Sequence, residues 1–213
     1  MFRRRNRQTD LAEPSDLPDG YWPIFVSDLN RALTAPTPKS EDLVRYVFFQ
    51  SLVTSGVEVH LFAFEYPHPV IERAMVDTVL IDEQGDPCVA LEVKYHRANS
   101  SGASLPSPQS AGMLVHDMAR LAVFTPADAE RVLLYVTDRE MARYFNNPNN
   151  GLRWVTGLEP GETETLNDGD FDQRSDTFRK AVGPWPGPVS VRVLHASDLM
   201  AGHMARLYKI ERL

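Results

Sequence analysis

The chain has 213 residues, 43% hydrophobic and 24% charged, an ordinary globular composition long enough for one sizeable core. A net charge of -7 argues against a surface coated with basic groups for nucleic acid, though not against a local basic groove. The single Cys88 excludes an internal disulfide and any zinc site built on several cysteines, reads as a buried, inert thiol and fits a reducing, cytoplasmic compartment; no apolar run reaches membrane-spanning length, so no membrane partner is expected.

Residues 1–20 are polar, with Arg3, Arg4, Arg5 and Arg7 clustered and no apolar stretch behind them to make a secretory signal. They read as a flexible basic tail, with a phosphate-gripping arm as the sharper alternative. "WPIFVSDLNRAL" (22–33) reads as a short helix. "SEDLVRYVFFQSLV" predicts a stronger one: Ser40 is a capping residue, Glu41 and Asp42 suit the first turn, and Leu43, Val44, Val47, Phe48 and Leu52 make an apolar face that ends at Gly56. "VEVHLFAFEY" alternates as a strand does. Residues 71–82 and 87–95 are two further strands around "EQGD", followed by a loop and a helix over 108–124 with Ser107 as its cap and Pro108 in its first turn. "RVLLYVT" is a buried type of strand and "DREMARYF" a short helix. Residues 146–188, rich in Gly, Pro, Asn and acids, are too long for a simple connection and read as a surface insertion partly ordered by Trp154, Phe171 and Phe178. "VSVRVLH" is a last strand and "SDLMAGHMARLYKIERL" a last helix. The organisation predicted is one domain over 21–213 with an insertion at about 146–188.

The chemistry is concentrated in "VDTVLIDEQGDPCVALEVKY", residues 76–95. With "EQGD" as a four-residue hairpin loop, Asp82 pairs with Pro87 and the same register sets Asp77 opposite Glu92, their β-carbons about 5 Å apart. Alternation puts Lys94 on that face too, while Leu91, Val93 and Tyr95 point the other way. Two facing carboxylates repel unless something neutralises them. Magnesium does so with carboxylate oxygens, the Val93 carbonyl being a further donor, and a water polarised by the ion beside a lysine is a nucleophile for a phosphodiester. The bland reading of the three residues is a buried salt-bridge cluster.

"VD", fourteen residues, then "EVK", on a hairpin that follows an acid-bearing helix, resembles the PD-(D/E)xK nuclease superfamily. The resemblance implies an α/β fold of restriction-endonuclease type, an αβββαβ core with a central mixed sheet flanked by helices, over roughly residues 40–137. Val76 stands where the family motif has proline. By resemblance Asp77 and Glu92 are metal-binding acids, Glu41 is the added acid from the first helix, and Lys94 orients or activates the attacking water. The implied cofactor is Mg2+, for which Mn2+ substitutes, and the implied partner is nucleic acid, DNA by family habit. The helix at 108–124 lies beside the active site in resembling proteins, which makes Gln109 a candidate for the scissile phosphate or the water. Lys94, His96, Arg97 and Arg120 are the candidate nucleic-acid contacts, while the bland reading of Asp117 and Arg120 is an exposed ion pair at helical spacing.

The six histidines show no metal-ligand spacing, and there is no Ser/His/Asp signature or glycine-rich nucleotide loop, so acyl transfer and NTP hydrolysis are unsupported. The reading is a metal-dependent endonuclease. Two other classes stay open: a nucleic-acid or protein-binding subunit that keeps this fold without cleaving, and an interaction protein docking through 146–188. Whether the chain works as a homodimer or with a protein partner is also open at this point.

Overall fold

The computed structural model describes residues 17–97 and 107–213. The cluster Arg3, Arg4, Arg5 and Arg7 and the loop over 98–106 lie outside the described residues. Among the described residues, no helix is long and apolar enough to cross a membrane.

Two helices come first, α1 (Tyr21–Thr34) and α2 (Glu41–Thr54), and the Ser40 hydroxyl accepts from the Leu43 amide at 3.2 Å, capping α2 as expected. Then follow β1 (Phe62–Pro67), β2 (Met75–Ile81), β3 (Pro87–His96), α3 (Ser107–Ala122) and β4 (Glu130–Thr137). Helix α4 (Arg139–Asn146) is capped by Asp138, whose carboxylate accepts from the Met141 amide at 3.0 Å. The chain closes with α5 (Trp154–Gly157), β5 (Thr163–Leu166), α6 (Asp176–Val182), β6 (Val189–Asp198) and β7 (Met204–Arg212). The strands form one sheet in the order β1-β2-β3-β4-β7-β6-β5, antiparallel except where β3 pairs with β4. That parallel pair is joined through α3, as a crossover requires.

Side-chain alternation sorts the core into two layers, one on each face of the sheet. Val89, Leu91 and Val93 of β3, with Val132, Leu134 and Val136 of β4, meet Phe25 and Leu29 of α1 and Phe48 and Leu52 of α2. Ala90 of β3, with Leu133 and Tyr135 of β4, meets Leu114 and Met118 of α3 and Phe145 of α4. The protein is an α/β fold with a seven-stranded mixed sheet flanked by helices.

Two expectations are corrected. The last helix is absent: Met204–Arg212 is β7, in the middle of the sheet between β4 and β6. Met, Ala, Arg, Leu and Lys favour helix intrinsically, but Ala205 and Leu207 fill one core layer while Tyr208 and Ile210 fill the other, and burial on two faces outweighs propensities of a few tenths of a kcal/mol each. Residues 146–188 are also no surface appendage. Leu152, Val155, Leu166, Phe171, Phe178 and Val182 are buried in the α3-side core. Arg206 and Tyr208 of β7 donate to the carbonyls of Thr156, Leu158 and Val155, tying the segment to the central sheet. Helix α6 lies so close to α3 that a β-carbon at Gly112 would come within 2.6 Å of the Phe178 carbonyl oxygen.

The β2–β3 hairpin reaches the expected register by another route. Its turn spans Asp82–Asp86, with the Asp82 amide bonded to the Asp86 carbonyl at 2.9 Å, and Ile81 rather than Asp82 pairs with Pro87. A one-residue bulge between Leu80 and Ile81 on the pairing ladder, with Cys88 as the extra residue, then restores the alignment, so Thr78 faces Leu91 and Leu80 faces Val89. Cys88 is partly exposed there rather than buried.

Candidate active site

Beyond the Thr78–Leu91 pair the β2–β3 ladder ends, and the amides of β3 along that edge need other acceptors. Asp77 supplies the first: its Oδ2 accepts from the Val93 amide at 2.9 Å. Glu41, at the start of α2, supplies the next, its Oε2 accepting from the Tyr95 amide at 3.1 Å. Acids from a helix and a strand thus meet at the fork between β2 and β3.

Glu92 and Lys94 project from β3 on the same side as Ala90, toward α3, where Asp117 and Arg120 stand. Lys94 Nζ is 3.1 Å from Asp117 Oδ2 and 3.9 Å from Glu41 Oε2. Arg120 lies 3.1 Å from Glu92 and 3.4 Å from Asp117, and also donates to the Met75 carbonyl. On the α2 side, Arg45 donates to Asp77 Oδ1 at 2.8 Å and stands 3.4 Å from Glu65 and 3.9 Å from Glu41. Glu65 adopts a left-handed backbone, φ 49°, and is the β1 residue level with Asp77 between the Phe64–Thr78 and Tyr66–Val76 pairs. Strain at a residue bordering the cluster is a recurrent mark of functional sites.

The cluster holds four inner carboxylates (Glu41, Asp77, Glu92 and Asp117) against three cations (Arg45, Lys94 and Arg120). The excess acid falls on Glu92, whose side chain is 4% exposed. Burial, then Asp77, then Asp117 push its carboxyl up to about 9, against the pull of Arg120 and Lys94. Burial chiefly raises Glu41 as well. For Lys94 burial acts downward, but Asp117 and Glu41 outweigh it together and hold the ammonium above its ordinary range.

All four residues of the expected centre, Glu41, Asp77, Glu92 and Lys94, are therefore brought together, and Val93 sits between them with its amide on Asp77. Gln109 stands in the first turn of α3, partly exposed, with no hydrogen bond or ion pair to the cluster among the described residues. Arg97 is exposed at the margin of the described chain. His96 is tied to β4: its Nδ1 is 3.2 Å from the Tyr135 hydroxyl, and burial, with Lys94 beside it, lowers its pKa to about 4, so it is a neutral imidazole at pH 7. Arg120 turns inward to Glu92, and Asp117, 5% exposed, is buried rather than one half of a solvated pair.

Sequence reasoning missed two members. Arg45 lies one helical turn after Glu41, and that spacing was the available signal. Asp117 lies among Leu114, Val115, Met118 and Leu121, a charge inside an apolar stripe.

Among the described residues, no three His, Cys, Asp or Glu side chains stand close enough to hold an ion as placed. The chemistry of the donors nevertheless fits a hard divalent cation: they are carboxylate oxygens, and Glu92 Oε1 is buried without a hydrogen bond although Arg120 is near. Room for an ion requires Arg45 or Arg120 to yield. No family model, curated protein or solved structure matches the chain.

Proposed function

We propose that the protein is a metal-dependent phosphodiester hydrolase, a DNA endonuclease with a restriction-endonuclease-like core of the PD-(D/E)xK kind. One observation carries this reading: acids from α2, β2 and β3 converge with Lys94 at the fork of one hairpin, where burial holds Glu92 far from its ordinary ionisation. The element order from α2 through β1, β2, β3 and α3 to β4 supports it. Glu41, Asp77, Glu92 and the Val93 carbonyl would hold magnesium, which when bound supplies countercharge and a polarised water.

The chain's own residues do the rest. Asp77 is fixed by the Val93 amide and Glu41 by the Tyr95 amide, so neither needs to reorganise to present its remaining oxygen lone pairs. Lys94, braced by Asp117, is a proton-bearing cation that faces the scissile phosphate and stabilises the charge that develops on it. Arg120 and Arg45 are additional cations within reach of a phosphate once they leave their carboxylates.

Cleavage of supercoiled plasmid and of single-stranded DNA with magnesium, then manganese, tests the reading beside Glu92→Ala and Lys94→Ala. Nicking that needs metal and is lost in both variants is expected. Folded wild-type protein that cuts no substrate, or cutting that survives both substitutions, refutes it. The full complement of ion pairs at Arg45 and Arg120 favours a second reading, a non-cleaving nucleic-acid or protein-binding subunit of a larger complex. Folded protein that binds DNA without cutting it is the outcome that selects this alternative.

A further inference from the structure

At the end of β3 beyond Lys94, a cleft of about 300 Å³ opens between α4 and the turn joining β6 to β7. One wall is a stripe of α4 carrying Arg139, Arg143 and Asn146. Their spacing of four and then three residues places them on one helix face. The other wall is the turn, with Gly202 and His203. No acceptor for either guanidinium, as hydrogen bond or ion pair, is found among the described residues. Asp198 shares the rim and forms no ion pair within 4.0 Å of either arginine. Arg45 and Arg120 are both spent on carboxylates, whereas Arg139 and Arg143 stand on one helix face beside a cleft without such a partner among the described residues.

His203 fixes the turn. Its Nε2 is 3.1 Å from the Tyr95 hydroxyl and its Nδ1 is buried with no hydrogen-bond partner among the described residues. When Tyr95 donates to Nε2, the ring proton sits on Nδ1 and lacks an acceptor. Gly202 has φ +73°, and a β-carbon there would stand 3.2 Å from Arg139 Nε, so the turn closes directly over that guanidinium. Two planar forks and a carboxamide along one helix face, with the turn closing over them, make a donor set suited to the several oxygens of a phosphate.

Position identifies the source of the phosphate. Tyr95 links the two places: its amide is bonded to Glu41 of the candidate centre, its hydroxyl to His203 of the cleft, and it directly follows Lys94. We propose that the cleft is a phosphate subsite that takes a backbone phosphate of the same nucleic-acid strand whose scissile phosphate lies at Lys94. This rests on the nuclease reading for the identity of the strand, but not for the chemistry of the subsite.

Two ligands separate those dependencies. Pyrophosphate binding is measured by calorimetry on the full chain, wild type against Arg139→Ala/Arg143→Ala and against Lys94→Ala. Binding of a labelled single-stranded oligonucleotide is measured by anisotropy in the Glu92→Gln background across a salt series. Both arginines are exposed on α4, so the double variant should melt like wild type, which a thermal scan verifies. The expected result is loss of pyrophosphate binding in the double variant but not in Lys94→Ala. With it should come a tenfold or greater fall in oligonucleotide affinity and a salt slope smaller by about 0.7, as for the loss of one phosphate contact on a single strand. Gly202→Ala should weaken both ligands. Affinity and slope unchanged in the double variant overturn the subsite, whatever the plasmid assay shows. Pyrophosphate binding through the arginines with no oligonucleotide binding overturns the strand assignment and leaves a site for free phosphate. Both outcomes are independent of cleavage itself, which the plasmid assay reads separately.

Discussion

Replacing Glu92 by Gln discriminates a functional carboxylate from a structural one. In the folded protein burial and the flanking Asp77 and Asp117 raise the Glu92 pKa from 4.5 to about 9. A carboxyl whose folded pKa is raised opposes folding as pH climbs past its unfolded value, because the unfolded chain ionises freely and the folded one does not. At pH 7 the gap between the unfolded value and the solution pH corresponds to about 3 kcal/mol. Gln reproduces the shape of the neutral acid without that penalty. Glu92→Gln should therefore stabilise the protein by up to about 3 kcal/mol at pH 7, raising the melting temperature by roughly 6–12 °C for a chain of this size. The gain should shrink to nothing near pH 4.5 and grow toward pH 9. Thermal melts of both proteins at several pH values, without added metal, measure it. A purely structural ion pair predicts the opposite, since removing one partner of a buried pair leaves Arg120 uncompensated and costs about 3–5 kcal/mol. A Glu92→Gln protein that melts well below wild type at pH 7 would refute the reasoning. Greater stability together with lost cleavage is the combination expected of a residue kept for function.

Ionising Glu92 is a condition for holding a cation, so magnesium binding should release close to one proton near neutral pH, and apparent affinity should rise about tenfold per pH unit up to about 9. Calorimetry in buffers of different ionisation enthalpy counts that proton. Lys94→Ala should lower the cleavage rate by about a hundredfold or more while far-UV circular dichroism stays unchanged. Asp117→Asn removes the carboxylate that braces Lys94 and Arg120, and should cost about 3 kcal/mol in urea denaturation. Gly112→Ala should destabilise by about 1–3 kcal/mol, read in the same way, although alanine is the better helix former, because its β-carbon would meet the Phe178 carbonyl and the Ala181 β-carbon.

Where local pattern and tertiary environment agree, the sequence was readable. Helix α2, with its Ser40 cap, and strands β2, β3, β4 and β6 fall where periodicity puts them. Asp77 and Glu92 come together because the hairpin's alternation and approximate turn length are local properties. Their alignment nevertheless depended on two departures that cancel, a longer turn and a bulge at Cys88, neither of which propensity reveals. β7 was illegible for a different reason: "MARLYKIER" is composed of helix formers, and only its insertion between two strands distant in sequence makes it extended. Local pattern could have flagged Arg45, through its spacing from Glu41, and Asp117, as a charge in an apolar stripe, but their contacts to Asp77 and Lys94, 32 and 23 positions away, are not local properties.

The place of β7 bears on how the chain is made. Met204–Arg212 is synthesised after the other six strands, yet it fills the centre of their sheet. Until it emerges, β4 has a bare edge on the side away from β3 and the β5–β6 ribbon has no neighbour to join, so a growing chain carries two unpaired apolar edges. Such edges invite pairing with other chains, and this protein should depend on holdase chaperones during translation to a degree that its compact final architecture conceals.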